Sequence, residues 1–195
     1  MFENLSRYYY NKGLKEARER QISLAVRSLA SAVSFDSKNC QAWNLAGLCH
    51  YRLGSYKTAR WCWQKSMELQ PAANGAAAYL DVLEQNLQLA ETSLNKVASL
   101  AAQKKYREAA RILQEEICSR FDFAAALYNY LGVLQVLGGK PGEAAQCWES
   151  VLKIDSGNAA AERYLAALEK SFGYRWQQFI KRIFQRLKTG TDRKR

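Results

Sequence analysis

The chain has 195 residues, 48% of them apolar, and Ala and Leu far outnumber the β-branched residues, a composition that favours helices over sheets. No run of about 18 apolar residues occurs, and the first residues lack the basic and apolar regions of a secretory signal, so we expect neither a membrane-spanning helix nor export. The net charge is +11, of which residues 174–195 carry +7 through eight Lys or Arg and one Asp.

A pattern with a period of 34 residues defines the first two predicted helix pairs, residues 6–39 and 40–73. Gly13 and Gly47 lie 34 residues apart, and each is followed 12 residues later by an Ala. Small residues at these positions allow the two helices of a pair to approach closely. Gly54 lies where the first helix of the second pair must stop and turn, a position that often needs a positive φ. The space around this crossing is filled by large side chains, namely Trp43, Trp63 and Met67.

A long apolar stripe joins the second pair to the third. Residues 76–105 contain no Gly or Pro, and their apolar residues follow alternating steps of three and four: Leu80, Leu83, Leu87, Ala90, Leu94, Val97 and Ala101. The stripe predicts one continuous helix of about 28 residues. The alternative is two helices broken near residues 91–93, where Thr92 or Ser93 would cap the second.

The third and fourth predicted pairs cover residues 90–123 and 125–158. The third carries Val97 where the other pairs have Gly, whereas the fourth repeats the second pair closely. Gly47 to Gly132 and Trp63 to Trp148 are both 85 residues apart, and YLDVLE matches YLAALE at the same distance. We infer a duplicated unit of two helix pairs followed by an extra helix, at about 75–89 and 159–172. Residues 1–173 would then form one domain.

These spacings resemble the tetratricopeptide repeat, with Trp43, Ala46, Gly47, Gly54, Tyr56, Ala59, Trp63 and Pro71 in the second repeat. The resemblance implies an all-α fold, a right-handed superhelix of four helix-turn-helix repeats. The extra helices inferred above would cap it, and the apolar pattern after Gly173 adds a C-terminal amphipathic helix. It also implies that the first helix of each repeat lines a concave groove for a peptide or protein. Carried over by position, the predicted groove residues are Tyr10, Asn11, Arg18, Asn44, Leu48, Tyr51, Arg52, Asn95, Asn129 and Tyr130.

No group of residues indicates an enzyme. His50 is the only His, and it occupies a position where the family usually carries a packing Tyr. Four zinc ligands at workable spacing are absent, and so are the phosphate-binding and dinucleotide-binding glycine motifs. We therefore expect no catalytic residues, cofactor or metal. Five Cys without a CxxC pair predict reduced, mostly buried thiols in a cytoplasmic protein.

The basic end, residues 174–195, is a separate predicted element. Apolar residues recur at helical spacing, with Lys and Arg at the other positions. This amphipathic segment would dock on the last repeat, lie on an anionic membrane surface or enter a groove on a partner protein; nucleic acid is less favoured. The predicted membrane or partner contacts are Trp176, Phe179, Ile180, Lys181, Arg182, Ile183, Phe184, Arg186 and Leu187.

Two functions follow from the sequence. The first is a protein-interaction scaffold that binds a peptide or protein in its groove. The alternative is a peripheral membrane adaptor, which the basic C-terminal helix would recruit to anionic lipid at the inner face of a membrane. The sequence leaves the partner's identity and the oligomeric state open.

Overall fold

The structure, a computed structural model, describes residues 2–72, 74–121, 124–171 and 173, and every element within them is helical. Successive helices pack on one another in pairs, as the sequence predicts. The helices are α1 Phe2–Arg18, α2 Ile22–Phe35, α3 Cys40–Leu53, α4 Tyr56–Leu69, α5 Ala76–Ala102, α6 Tyr106–Ile112, α7 Ala125–Leu137, α8 Pro141–Ile154 and α9 Ala159–Lys170. Helix α6 continues into a wider π-helical segment, Leu113–Cys118.

Glycines at the helix crossings allow the close approach within three of the pairs. A Cβ added at Gly13, Gly47 or Gly132 would lie less than 3.0 Å from Leu29, Trp63 or Trp148, respectively, on the facing helix. Both of these Trp side chains are buried, and each indole nitrogen donates a hydrogen bond to a backbone carbonyl of the facing helix. The prediction that small residues face large ones at these crossings is confirmed.

Helix α5 runs without a break from Ala76 to Ala102. Its buried residues, Ala76, Leu83, Ala90, Val97 and Leu100, all belong to the predicted stripe or extend it. Helix α5 packs on both α4 and α6, so this one helix joins the second pair to the third. The prediction of a single helix is therefore confirmed, and the alternative break near residues 91–93 is wrong.

The two ends of the repeat array come together. The backbone N–H of Ser156, just after α8, donates to the carbonyl of Arg20 in the turn between α1 and α2 (2.8 Å). Ser23, at the start of α2, donates to Asp155 through both its backbone N–H (3.1 Å) and its hydroxyl (2.5 Å). We call these three hydrogen bonds the clasp. They join the first helix pair to the fourth, so the array encloses a cleft.

Candidate functional site

The enclosed space is a cleft of about 940 Å³, which we call the central cleft. Its walls come from α3, α4 and α5 on one side and from α7, α8 and the α1–α2 turn on the other. This volume is at the upper end of the range for ligand-binding cavities in proteins. The lining residues are Arg20, Leu48, Tyr51, Arg52, Trp63, Tyr79, Val82, Tyr128, Ser150, Lys153 and Ile154.

The floor of the central cleft is aromatic and aliphatic. The Tyr79 ring packs on Trp63 with centroids 5.4 Å apart, and Tyr51 packs on the same indole at 6.1 Å. Trp63 is only 1% exposed, so it forms the base of the cleft, whereas Tyr79 and Val82 are exposed on α5. Exposed apolar side chains beside a buried aromatic base provide a surface on which another apolar side chain can be buried.

The rim of the central cleft is cationic. Arg20 lies in the α1–α2 turn, Arg52 in the last turn of α3 and Lys153 in the last turn of α8. Among the described residues, no ion pair includes any of these three side chains, and none of the described lining residues is acidic. Within the described part of the chain, the rim therefore carries three cationic side chains that form no ion pair with a carboxylate.

The clasp holds the far wall of the central cleft in place. Asp155 is completely buried, and it accepts hydrogen bonds from the N-terminus of α2, whose own N-cap residue, Gln21, makes no side-chain cap. Helix N-termini leave backbone N–H groups without intrahelical partners and favour negative charge. Asp155 thus caps a helix that lies 132 positions earlier in the sequence. The guanidinium of Arg20 adds a long contact to the Lys153 carbonyl at 3.5 Å.

Three of the predicted groove residues line the central cleft. Leu48, Tyr51 and Arg52 lie along one face of α3, as their spacing requires, and all three contribute to the wall. Leu48 and Tyr51 also pack against the core, so their side chains are half-buried, whereas Arg52 is exposed. The structure therefore brings this part of the predicted set together.

Asn44 and Asn129 occupy equivalent positions in the two halves and have the same role in the fold. Asn44 donates its amide to the side chain of Asn74 (2.9 Å), and Asn129 donates its amide to the side chain of Asn158 (3.4 Å). Asn74 and Asn158 in turn accept backbone N–H groups at the start of α5 and α9. The amide donors that we expected to hold a peptide are thus used to organise the following helices.

The other predicted groove residues lie away from the central cleft. Tyr10 is half-buried and packs against the core between α1, α2 and α3. Asn11 and Arg18 are exposed on α1, and Tyr130 is exposed on α7. Asn95 is exposed on α5, beside a shallow groove that also contains Arg60 and Glu84. These five residues therefore do not form one site with Arg52.

The predicted contact residues of the C-terminal segment, Trp176 to Leu187, lie outside the described residues. In the part of the chain that the structure describes, no helix is both long enough and apolar enough to span a membrane.

Eight lining residues are not among the groove residues predicted from the sequence: Arg20, Trp63, Tyr79, Val82, Tyr128, Ser150, Lys153 and Ile154. Trp63 was assigned to packing, which is correct, but its ring also forms the cleft floor. Tyr79 and Val82 lie three residues apart on α5, and both are exposed. Exposed apolar residues at this helical spacing indicate a second apolar face on α5. The sequence does not indicate that residues of α8 line a cleft, because the clasp that places them depends on contacts between distant parts of the chain.

Burial shifts the pKa values of four thiols and of His50. Burial raises the pKa of Cys49 and Cys118 to about 12 and that of Cys62 and Cys147 to about 11. All five Cys are free thiols, three of them buried. Burial also lowers the pKa of His50, whose Nδ1 atom is buried without a hydrogen-bond partner among the described residues. Neutral forms are therefore favoured at these positions near pH 7.

No protein-family model and no curated protein matches the sequence. Solved structures with similar folds include PilF of Pseudomonas aeruginosa, at 17% identity and a TM-score of 0.36 over 92% of this chain and 72% of that chain. MamA of Desulfovibrio magneticus RS-1 is similar at 18% identity and a TM-score of 0.37, over 87% of this chain and 86% of that chain. A double mutant of MamA RS-1 is similar at 16% identity and a TM-score of 0.37, over 97% and 98%.

Proposed function

We propose that the chain is a non-enzymatic protein-interaction scaffold that binds a segment of a partner protein in the central cleft. The observation that supports this proposal most directly is the cleft itself, about 940 Å³ in volume. It combines a buried Trp base, exposed apolar side chains and cations that form no ion pair among the described residues. Aromatic residues and Arg are enriched among the residues that dominate protein-interface energetics.

The proposal uses only those predicted groove residues that line the central cleft. Leu48, Tyr51 and Arg52 belong both to the groove predicted from the sequence and to the cleft wall. The proposal rests on these three together with Tyr79 and Val82 of α5. The remaining groove residues stay predictions that mutagenesis can test separately.

Val82→Glu tests the proposal without disturbing the core. Val82 is 52% exposed and lines the cleft, so a carboxylate there would block an apolar ligand and neutralise part of the cationic rim. Leu89→Glu is the matched control, because Leu89 is 59% exposed on the same helix and is not among the lining residues. We expect partners captured from a cell extract by the wild type and by Leu89→Glu to be lost from Val82→Glu. Capture of every partner by Val82→Glu would rule out the cleft as the binding site.

A second candidate function rests on the sequence of residues 174–195. Their net charge of +7 and amphipathic pattern suit an anionic membrane surface, so the chain would act as a peripheral membrane adaptor. Co-sedimentation with vesicles containing phosphatidylserine, using chains with and without these residues, tests this role. Equal recovery of both chains would exclude it, whereas salt-sensitive binding by the full chain alone would support it.

A further inference from the structure

The charges around the central cleft indicate what kind of ligand it accepts. Arg20, Arg52 and Lys153 come from three separate elements, so the positive charge of the rim does not belong to one helix. Arg20 uses part of its guanidinium on the Lys153 carbonyl, but a guanidinium has five N–H donors in all. Donors therefore remain available for an anionic group on a ligand.

Among the described residues, no carboxylate forms an ion pair with Arg20, Arg52 or Lys153. Asp81 and Glu84 lie on α5 beside Val82, but Glu84 pairs with Arg60 at 2.6 Å and neither is a lining residue. Asp155 is completely buried in the clasp, where Ser23 donates to both of its oxygens. A ligand carboxylate at the rim would thus gain charge-assisted hydrogen bonds without displacing an existing ion pair.

The floor requires an apolar group in the same ligand. Tyr79 and Val82 are 41% and 52% exposed, and they lie beside the buried Trp63. An anion alone would leave these surfaces in water, whereas a large aliphatic or aromatic side chain would bury them. The geometry points to a peptide segment that carries Asp or Glu next to large apolar residues. This inference rests on the proposed function, because it specifies the ligand of the same cleft.

The helix dipole gives a second explanation for the positions of two of the three cations, one that needs no ligand. Arg52 and Lys153 lie in the last turns of α3 and α8, where positive charge is favourable without any ligand. Lys170 lies in the last turn of α9 and is exposed, but it does not line the cleft. Lys170→Glu therefore matches Arg52→Glu and Lys153→Glu in charge change and helix position, and differs from them only in location.

The experiment is selection from a library of random peptides by the full chain, followed by affinity measurements on the selected peptides. We expect the selected sequences to be enriched in Asp or Glu together with large apolar residues. Arg52→Glu and Lys153→Glu should each weaken their binding by about tenfold, whereas Lys170→Glu should leave it unchanged. Arg52→Gln, which removes the charge without reversing it, should have a smaller effect in the same direction. Laurate and dodecyl phosphate serve as non-peptide anionic probes.

The possible results separate the ligand chemistry from the proposed function. Selection without enrichment in acidic residues, or affinity unchanged in both cleft variants, would overturn the inference and leave the scaffold function intact. Binding of laurate or dodecyl phosphate in an Arg52-dependent manner, with no peptide selected, would overturn both in favour of a small anionic amphiphile. If neither peptides nor these probes bind, both the inference and the proposed function are wrong.

Discussion

Gly132 shows how a single atom sets the distance between two helices. An added Cβ would lie 2.5 Å from the indole nitrogen of Trp148, which also donates a hydrogen bond to the Asn129 carbonyl at 3.3 Å. The ring is almost fully buried, so it cannot move aside without losing both packing and that bond. Glycine at this crossing is therefore required for close approach, and its helical backbone needs no unusual φ.

Gly132→Ala should lower the free energy of unfolding by about 1–3 kcal/mol, the usual cost of overpacking a filled core. Gly157→Ala is the control, because nothing lies within 4 Å of a Cβ added there. Urea denaturation monitored by circular dichroism measures both variants. Equal effects of the two substitutions would show that the crossing tolerates a methyl group and that our account of the Gly–Trp contact is wrong.

His50 predicts a pH dependence of stability. In the folded chain, burial lowers the pKa of His50 below its ordinary value of 6.5. Folding therefore favours the neutral imidazole. A depressed pKa contributes stability that is present above the unfolded value and is lost as the pH falls below it. The free energy of unfolding should therefore decrease from about pH 7 to about pH 5.

His50→Phe keeps a ring of similar shape and removes the titrating group. The acid-induced loss of stability should be smaller in this variant, as measured by urea denaturation across the same pH range. An identical pH profile in the variant and the wild type would assign the acid sensitivity to other groups.

At the scale of elements, α5 determines how the two halves are joined. A break at residues 91–93 would have left the halves connected by a flexible loop, whereas one helix from Ala76 to Ala102 fixes their relative direction. Thr92 lies near the middle of α5 and its side chain is exposed. Proline there would remove a helix hydrogen bond and clash with the preceding turn.

Thr92→Pro should therefore lower the free energy of unfolding by about 3 kcal/mol, while Thr92→Ala should change it little or raise it slightly. Proline would be well tolerated if the chain began a second helix at this point, since the first helical position accepts it. Denaturation curves for the two variants decide between a continuous and a broken helix in solution.

The helix pairs could be predicted from the sequence because the residues that pack at the helix crossings recur at fixed spacing along the chain. The recurrence of Gly47 and Trp63 as Gly132 and Trp148 specified the crossings, and the same recurrence includes the ring contacts of Trp63 with Tyr79 and of Trp148 with Tyr164. The roles of Asn44 and Asn129 were not predictable in the same way. Their amides bind asparagines some 30 residues away, and a surface position in a periodic pattern does not reveal that contact.

At the scale of the whole molecule, the site depends on closure of the array. A helical repeat pattern specifies contacts between neighbouring pairs, since each pair packs mainly on the next. It contains no information on whether the first pair reaches the fourth. The wall formed by Ser150, Lys153 and Ile154, and the placement of Arg20, follow from that closure, so only the α3 side of the cleft could be predicted.

Asp155→Ala tests whether the clasp holds the cleft closed. Removing the carboxylate leaves the start of α2 without its cap, a loss of about 0.5–2 kcal/mol, and it abolishes two of the three hydrogen bonds of the clasp. The remaining bond, from Ser156 to Arg20, should then open more often. We expect faster hydrogen exchange at the backbone amides of Ser23 and Ser156, with protection in α5 unchanged.

Asp36→Ala is the matched control for this opening. Asp36 ends α2 with nearly the same backbone angles that Asp155 has at the end of α8, but the bond that its carboxylate accepts within the described residues is local, from the Lys38 backbone (2.9 Å). Its loss should leave exchange at Ser23 and Ser156 unaffected.

Because Arg20 and Lys153 lie on opposite sides of the clasp, opening it would also separate two of the three cations at the rim. Asp155→Ala, but not Asp36→Ala, should therefore weaken binding of any acidic peptide selected by the wild type. Unchanged exchange in Asp155→Ala would mean that the first and fourth pairs stay together without the clasp.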